Sequence, residues 1–360
     1  MTVSKTNVIA IWVLTPNGLK LAGNIRRMLT EADVYISNNI DRPRFRHFTF
    51  QKLSNEIEEK FEKYSGHIFI MSTGIVVRLI APYIKHKTED PAVVVVDDRG
   101  QHVISLLSGH LGGANELTRK TADIIGARPV ITTATDVNQL AAIDVLAQEK
   151  NLTIENPTAI KIVNMAILKG EKIYVHDPLN LIQNNIPQAE SRIFEELSEN
   201  LKKDRQVFEN INKPAVFIDD VRLDFPPSTL VLRPASLVAG IGCNRNTAAD
   251  EIKSLLEAVL AIADLSILSL RCLASIDVKS DEEGLIALSR EFDLPLVFYK
   301  RQELNQVINI ENPSIVVEKH VGVKSVCEAA AILAAQNGTL IVPKQKTQNV
   351  TVAIARINFS

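Results

Sequence analysis

Apolar and polar positions alternate from residue 7 onward in rhythms that change with each segment. Residues 7–14 (NVIAIWVL) are β-branched-rich and end at Thr15, Pro16, Asn17 and Gly18, which predicts a strand, a turn and a helix to about Leu29. A short strand follows at 34–36. Residues 52–64 repeat Leu53, Ile57 and Phe61 at helical spacing, and 67–71 (HIFIM) read as a buried strand before Ser72, Thr73, Gly74 and a helix carrying Arg78. This alternation predicts a doubly wound, mostly parallel α/β sheet with helices on both faces. Ligands gather beyond the carboxyl ends of strands in such sheets, so the turns at 15–18, 72–74 and 108–113 are expected to share one edge. Residues 91–108 differ, reading as a hairpin around Asp98 and Gly100 in which Asp97 and Asp98 serve as turn residues.

The rhythm weakens between 150 and 232. Strands are expected near 172–176 and 215–218, the polar stretch 180–213 reads as an exposed helix with loops, and the proline-rich 225–234 as a linker. His176 and Asp177, ahead of Pro178, read as turn residues. Regular alternation resumes at 237–241, with helices from about Thr247, from 283 to 292 and from 322 to 335, and a closing hairpin around a basic loop at 344–348. Asp250 and the Ser280/Glu283 pair sit at capping-box spacing. Glu328, inside an Ala-rich helix, is expected on the exposed face or else buried with a raised pKa. Three regions result: an N-terminal α/β domain (1–136), an irregular central region with linker (137–232) and a separate C-terminal α/β module (237–357).

Composition changes this picture little. The chain has 360 residues, 46% hydrophobic and only 5% aromatic, so its cores are aliphatic. Forty Lys and Arg against 42 Asp and Glu argue against nucleic acid as a partner. No apolar run reaches membrane-spanning length, and residues 8–14, too short for a span and followed by no small-residue cleavage site, read as a first strand rather than a signal peptide. Three scattered cysteines, Cys243, Cys272 and Cys327, suit reduced thiols and a cytoplasmic setting. Metal-binding spacings are absent, so no protein-held metal is expected.

The candidate chemistry centres on SLLSGHLGGANE (105–116). A strand ends at Ser108 and Gly109, presents His110, and passes Gly112 and Gly113 into a helix near Asn115. Backbone amides of such a turn are suited to an anionic or carbonyl group, and His110 exchanges protons near neutral pH. Thr132, Thr133 and Thr135 lie on a comparable turn, where Asp136 with Gln139 also fits a helix cap. Asn115 and Glu116 suit the positive end of a helix. In GIGCNRNT (240–247) Arg245 occupies the place of the third glycine of a dinucleotide fingerprint, which disfavours nucleotide binding.

GIVVRLIAP (74–82), DPAVVVVDDRG (90–100), ISLLSGHLGGAN (104–115) and VITTATD (130–136) resemble the cobalt-precorrin-5A hydrolase family, the G proteins of anaerobic cobalamin biosynthesis. GIGCNR (240–245), LASIDVKSDEEGL (273–285), GVKSVCEAAA (322–331) and TVAIA (351–355) extend the likeness, and this last module is also similar to a stand-alone protein of the aerobic pathway. The likeness covers 52–136 and 237–357, and the middle is similar only in position. The resemblance implies hydrolysis of the ring-A lactone of a cobalt-bound tetrapyrrole, with release of acetaldehyde. Cobalt then belongs to the substrate, no further cofactor is expected, and neighbouring pathway methyltransferases are the expected partners. On this reading His110 is the general base, with Asp136 or Glu116 as its orienting acid. Thr73, Gly74, Ser108, Gly109, Gly112, Gly113, Thr132 and Thr133 would line the substrate site, with Arg78, Lys85 and Arg245 holding peripheral carboxylates. Two other classes are a non-catalytic tetrapyrrole carrier and a nucleotide-dependent enzyme using residues 240–247.

Overall fold

The computed structural model describes residues 6–86, 89–134, 142–186, 191–197, 213–308, 310–313 and 322–358. The chain forms two compact units, Met1–Val145 and Leu146–Ser360.

The first unit is one seven-stranded sheet. Its elements are β1 (Thr6–Val13), α1 (Pro16–Met28), β2 (Asp33–Ser37), β3 (Phe48–Phe50), α2 (Leu53–Lys60), β4 (Tyr64–Ile70), α3 (Thr73–Ile80), β5 (Ala92–Val96), β6 (His102–Leu107), α4 (Ala114–Ile125), β7 (Arg128–Val130) and the start of α5 (Ile143–Glu149). The strand order is β3-β2-β1-β4-β5-β6-β7. Period-two alternation sorts side chains onto two cores. Ile11, Val13, Ile68, Ile70, Val94 and Val96 join Ala22 and Ile25 of α1 and Ala122 of α4. Ala10, Trp12, Phe69, Val93 and Val95 join Ile57 of α2 and Val76 and Ile80 of α3. Helices therefore cover both faces, as expected. His67 is wholly buried, with the Trp12 indole donating to Nδ1 at 3.0 Å and Nε2 3.0 Å from the Phe61 carbonyl oxygen, so its place is structural.

Strand direction overturns one expectation. The first five strands are parallel, but β5 and β6 pair antiparallel and β7 follows β6. The turns after β1 and β4 thus lie at one edge of the sheet, and residues 108–113, after β6, at the opposite edge. The hairpin turn between β5 and β6 joins the first edge, where Asp98 accepts hydrogen bonds from Thr15 and, at 3.3 Å, from Asn17. Both aspartates act as turn residues there, Asp97 accepting the Arg99 amide at 2.9 Å.

The second unit holds two five-stranded sheets. β8 (Thr153–Ile154), α6 (Ile160–Lys169), β9 (Ile173–His176), β10 (Phe194–Glu196), β11 (Ala215–Ile218) and β12 (Thr229–Arg233) make the order β10-β9-β11-β12-β8. Part of the expected linker is therefore strand β12, fully buried and anchored by Arg233, which reaches Glu155 at 2.5 Å and the carbonyls of Asp219 and Val221 at 2.8 and 2.6 Å. Asp177 behaves as the expected turn residue, accepting three amides from 181–183. His176 does more, pairing with Asp219 at 3.1 Å and stacking on Phe217. Burial pushes the Asp219 pKa up, but the hydrogen bond and charge of His176 and the Asp220 amide outweigh it and hold the carboxyl low.

β13 (Leu237–Cys243), α7 (Ala249–Ile262), β14 (Leu270–Ile276), α8 (Glu283–Phe292), β15 (Leu296–Tyr299), α9 (Arg301–Leu304), α10 (Val326–Ala334), β16 (Thr339–Lys346) and β17 (Val350–Arg356) complete the chain, with the order β15-β14-β13-β17-β16. The central and C-terminal sheets are joined through buried Asp220, which receives Nε and Nη2 of Arg356 at 2.8 and 2.6 Å and the Ser236 hydroxyl at 2.7 Å. Gly240 serves packing rather than phosphate binding, since a side chain there would overlap the Cys327 carbonyl of α10. Neither expected capping box forms: Ala248 and Glu282 precede these helices without side-chain caps.

Glu328 is fully buried, and its pKa is lowered rather than raised. Burial pushes the carboxyl up, but it accepts the Asn312 and Lys344 amides at 3.0 and 2.9 Å and the Asn312 side chain at 3.0 Å, and these outweigh the desolvation. A carboxyl with a depressed folded pKa stabilises fully above its unfolded value, about 4.3, and loses that contribution as pH falls through the folded value. Glu328→Gln should therefore cost about 2–3 kcal/mol in urea unfolding at pH 7, with a deficit that narrows below about pH 4.5. A deficit independent of pH down to about pH 3 would refute the ionised pairing.

Candidate active site

The loop after β6 is built on its own backbone. Ser108 adopts φ +59° and Gly113, capping α4, φ +83°. The carbonyls of Ser108, Gly109 and His110 accept the amides of Ala114, Asn115 and Gly113 at 3.0, 2.9 and 2.8 Å. The amides of Gly113, Ala114 and Asn115 are thus spent inside the turn. The glycines have steric reasons. A Cβ on Gly112 would lie 2.8 Å from the Ser108 carbonyl oxygen, and one on Gly109 would lie 2.9 Å from Asn115 Oδ1. Asn115, buried, ties the loop to both strands, accepting the Ser105 hydroxyl at 2.6 Å and donating to Thr133 Oγ1 at 3.0 Å.

This frame holds His110 with its Nδ1 3.3 Å from Asp144 Oδ2, the two side chains 14% and 6% exposed. Asp144 lies in the first turn of α5, within the same unit. A carboxylate facing Nδ1 stabilises the Nδ1–H tautomer, which leaves Nε2 as the nitrogen that takes a proton and also stabilises the imidazolium. Two residues away in sequence, the buried Ser108 hydroxyl has no hydrogen-bond partner among the described residues.

The other expected residues disperse. Asp136 and Thr135 lie outside the described residues. Glu116 is exposed in the first turn of α4 and forms no ion pair with a described residue. Thr133 joins the site through Asn115, and Thr132 is exposed beside it. Thr73, Gly74 and Arg78 lie at the far edge of the sheet, where Arg78 donates to the Gly74 carbonyl at 3.0 Å. Lys85 precedes β5, on the His110 side, with its ammonium 2.5 Å from Glu62. Arg245, in the other unit, is held by Asp281 at 2.5 Å and the Val278 carbonyl at 2.7 Å. Sequence reading missed Asp144. Its signal was a carboxylate inside the apolar run LAAIDVLA (140–147), where burial demands a counter-charge or donor. Among the described residues no group of three or more His, Cys, Asp or Glu side chains is placed to hold a metal, and no helix is long and apolar enough to cross a membrane.

Family models cover the chain in succession. Cobalamin synthesis G N-terminal matches residues 55–136, the cobalamin biosynthesis central region 141–234, and the cobalamin synthesis G C-terminus 237–355. The chain is 35% identical over 374 residues to the cobalt-precorrin-5A hydrolase of Priestia megaterium, across 97% of this chain and 95% of that one. It belongs to the cobalamin synthesis G family. A second member, the cobalt-precorrin-5A hydrolase of Salmonella typhimurium, is 37% identical over 358 residues, 98% of this chain and 99% of that one. A solved cobalamin biosynthesis protein G homologue from Sulfolobus solfataricus aligns over 99% of both chains at 24% identity and a TM-score of 0.38. The middle third, whose motifs are weakest, thus has a cobalamin synthesis G match of its own.

The steric reading of the loop separates two glycines. Gly112→Ala should lower stability by about 1–3 kcal/mol by forcing Ser108 aside, while Gly74→Ala, with only the Arg78 tip 3.3 Å away, should stay within about 0.5 kcal/mol. Equal thermal midpoints for G112A and wild type would refute the packing argument.

Proposed function

We propose that this protein hydrolyses the ring-A δ-lactone of cobalt-precorrin-5A and releases acetaldehyde, yielding cobalt-precorrin-5B. The single observation behind the residue assignment is the His110–Asp144 pair held at 3.3 Å by the glycine loop. The near full-length relatives named cobalt-precorrin-5A hydrolase support the choice of reaction.

The steps are assigned to His110, Asp144 and Ser108, with water and the substrate. His110 Nε2 takes a proton from water, and the water oxygen bonds to the lactone carbonyl carbon. The Ser108 hydroxyl, lacking a partner of its own, donates to the oxyanion that forms. Collapse breaks the acyl–oxygen bond, and the imidazolium returns its proton to the leaving alkoxide. Asp144 stabilises the imidazolium between these transfers. His110 Nε2, neutral again, takes the proton of the freed hydroxyl, and the C–O bond of that hydroxyl becomes the carbonyl of acetaldehyde. The electron pair of the broken carbon–carbon bond enters the conjugated macrocycle, which takes up a proton. Cobalt enters as part of the substrate.

Incubation with cobalt-precorrin-5A, followed by mass spectrometry of the corrinoid and trapping of acetaldehyde, tests the reaction. His110→Ala should slow lactone opening about 100-fold or more, and Asp144→Asn at least about tenfold, with both variants folded. Full activity in H110A would remove His110 as base. Substrate bound by the wild type without loss of the two-carbon fragment would instead make the protein a carrier.

A further inference from the structure

A cavity of about 630 Å³ opens at the carboxyl edge of the C-terminal sheet, within the second unit, and His110 does not line it. Its walls are the ends of β13 and β14, the start of α10 and the β16–β17 hairpin. Lys279, Lys344 and Lys346 line it, and no carboxylate does among the described residues. Nearby acids are already committed. Glu328 is filled by the Asn312 and Lys344 amides, Glu282 by Lys279 at 3.0 Å and the Asn246 amide at 2.6 Å, and Asp281 by Arg245. Lys344 donates to the Asn312 carbonyl at 2.5 Å, while Lys346 is exposed and has no ion pair with a described residue. The start of α10 adds the positive end of a helix, because the Ser325 side chain caps none of its amides. Gly242, Cys243 and Cys327 make a neutral floor. Burial pushes both thiols up, so they carry no charge at pH 7.

The volume lies within the about 300–1,000 Å³ usual for small-molecule sites, and the lining sets Ile276, Val278, Val326 and Val350 beside lysine, amide and hydroxyl side chains. Lys279 is spent on Glu282 and Lys344 on the Asn312 carbonyl, so Lys346 is the lysine of this wall without an ion pair to a described residue, and together with the start of α10 it gives the mouth a positive potential that favours an anion. We propose that this cavity is a second binding site, which takes the peripheral carboxylates of a polycarboxylate macrocycle independently of the His110 loop. Lys346 pairs with a carboxylate and the apolar floor accepts the ring edge. That the anion is a tetrapyrrole rests on the function proposed above; that the cavity receives an anion does not.

The full-length protein is titrated with uroporphyrin, a soluble porphyrin bearing carboxylates on every pyrrole, and with mesoporphyrin, which bears fewer, following porphyrin fluorescence. Uroporphyrin should bind the wild type more tightly, with affinity falling as salt rises. Lys346→Glu should weaken it about tenfold or more, the value of one charge-assisted contact, and Lys346→Arg should retain it. His110→Ala should leave this binding unchanged. The proposal is overturned if uroporphyrin does not bind the wild type, if K346E binds like wild type, or if H110A abolishes binding. Loss of acetaldehyde release with K346-dependent porphyrin binding intact would count against the proposed reaction alone.

Discussion

The reversal of the chain between β5 and β6 decides at which edge of the first unit's sheet the His110 loop lies. Asp97 drives it, accepting the Gly100 amide on its carbonyl at 2.9 Å and the Arg99 and His102 amides on its carboxylate at 2.9 and 2.5 Å, while Gly100 takes φ +65°. A crossover here would have kept β6 parallel and brought the His110 loop beside residues 72–74. The tight turn instead sends β6 back along β5, and the loop emerges at the opposite edge with the carboxyl end of β7.

That placement explains the frame around His110. The loop must turn sharply from β6 into α4, so it uses a left-handed serine, a left-handed glycine and two glycines whose missing Cβ atoms let the chain fold onto itself. The strained Ser108 costs stability, which the Ser105–Asn115–Thr133 network and three short backbone bonds offset. Within that frame His110 stands against Asp144, with Nδ1 3.3 Å from the carboxylate.

The second unit uses charge differently. Its buried carboxylates, Asp177, Asp220, Glu282 and Glu328, are each satisfied by amides, guanidinium, ammonium or hydroxyl, and those of Asp220 and Glu328 join the two sheets and brace the last hairpin. Lys279 is drawn into that frame by Glu282, and Lys344 and Lys346 stand with it on the cavity wall, which no carboxylate lines among the described residues.

Local rules were enough for much of this. Alternation in β1, β4 and β5, helical spacing around Ile57, and turn residues at 15–18 and 97–100 reflect short-range sterics and burial, so the two-faced α/β sheet and the glycine loop with His110 were legible in residue order alone. The family motifs were legible for the same reason, being contiguous. Which edge the loop occupies, which acid meets His110, and whether Glu328 is charged depend on strand direction and on partners 16 to 34 residues away. Those pairings follow from packing whole elements together, and a carboxylate such as Asp144 acquires its role only when tertiary structure removes it from water beside an imidazole.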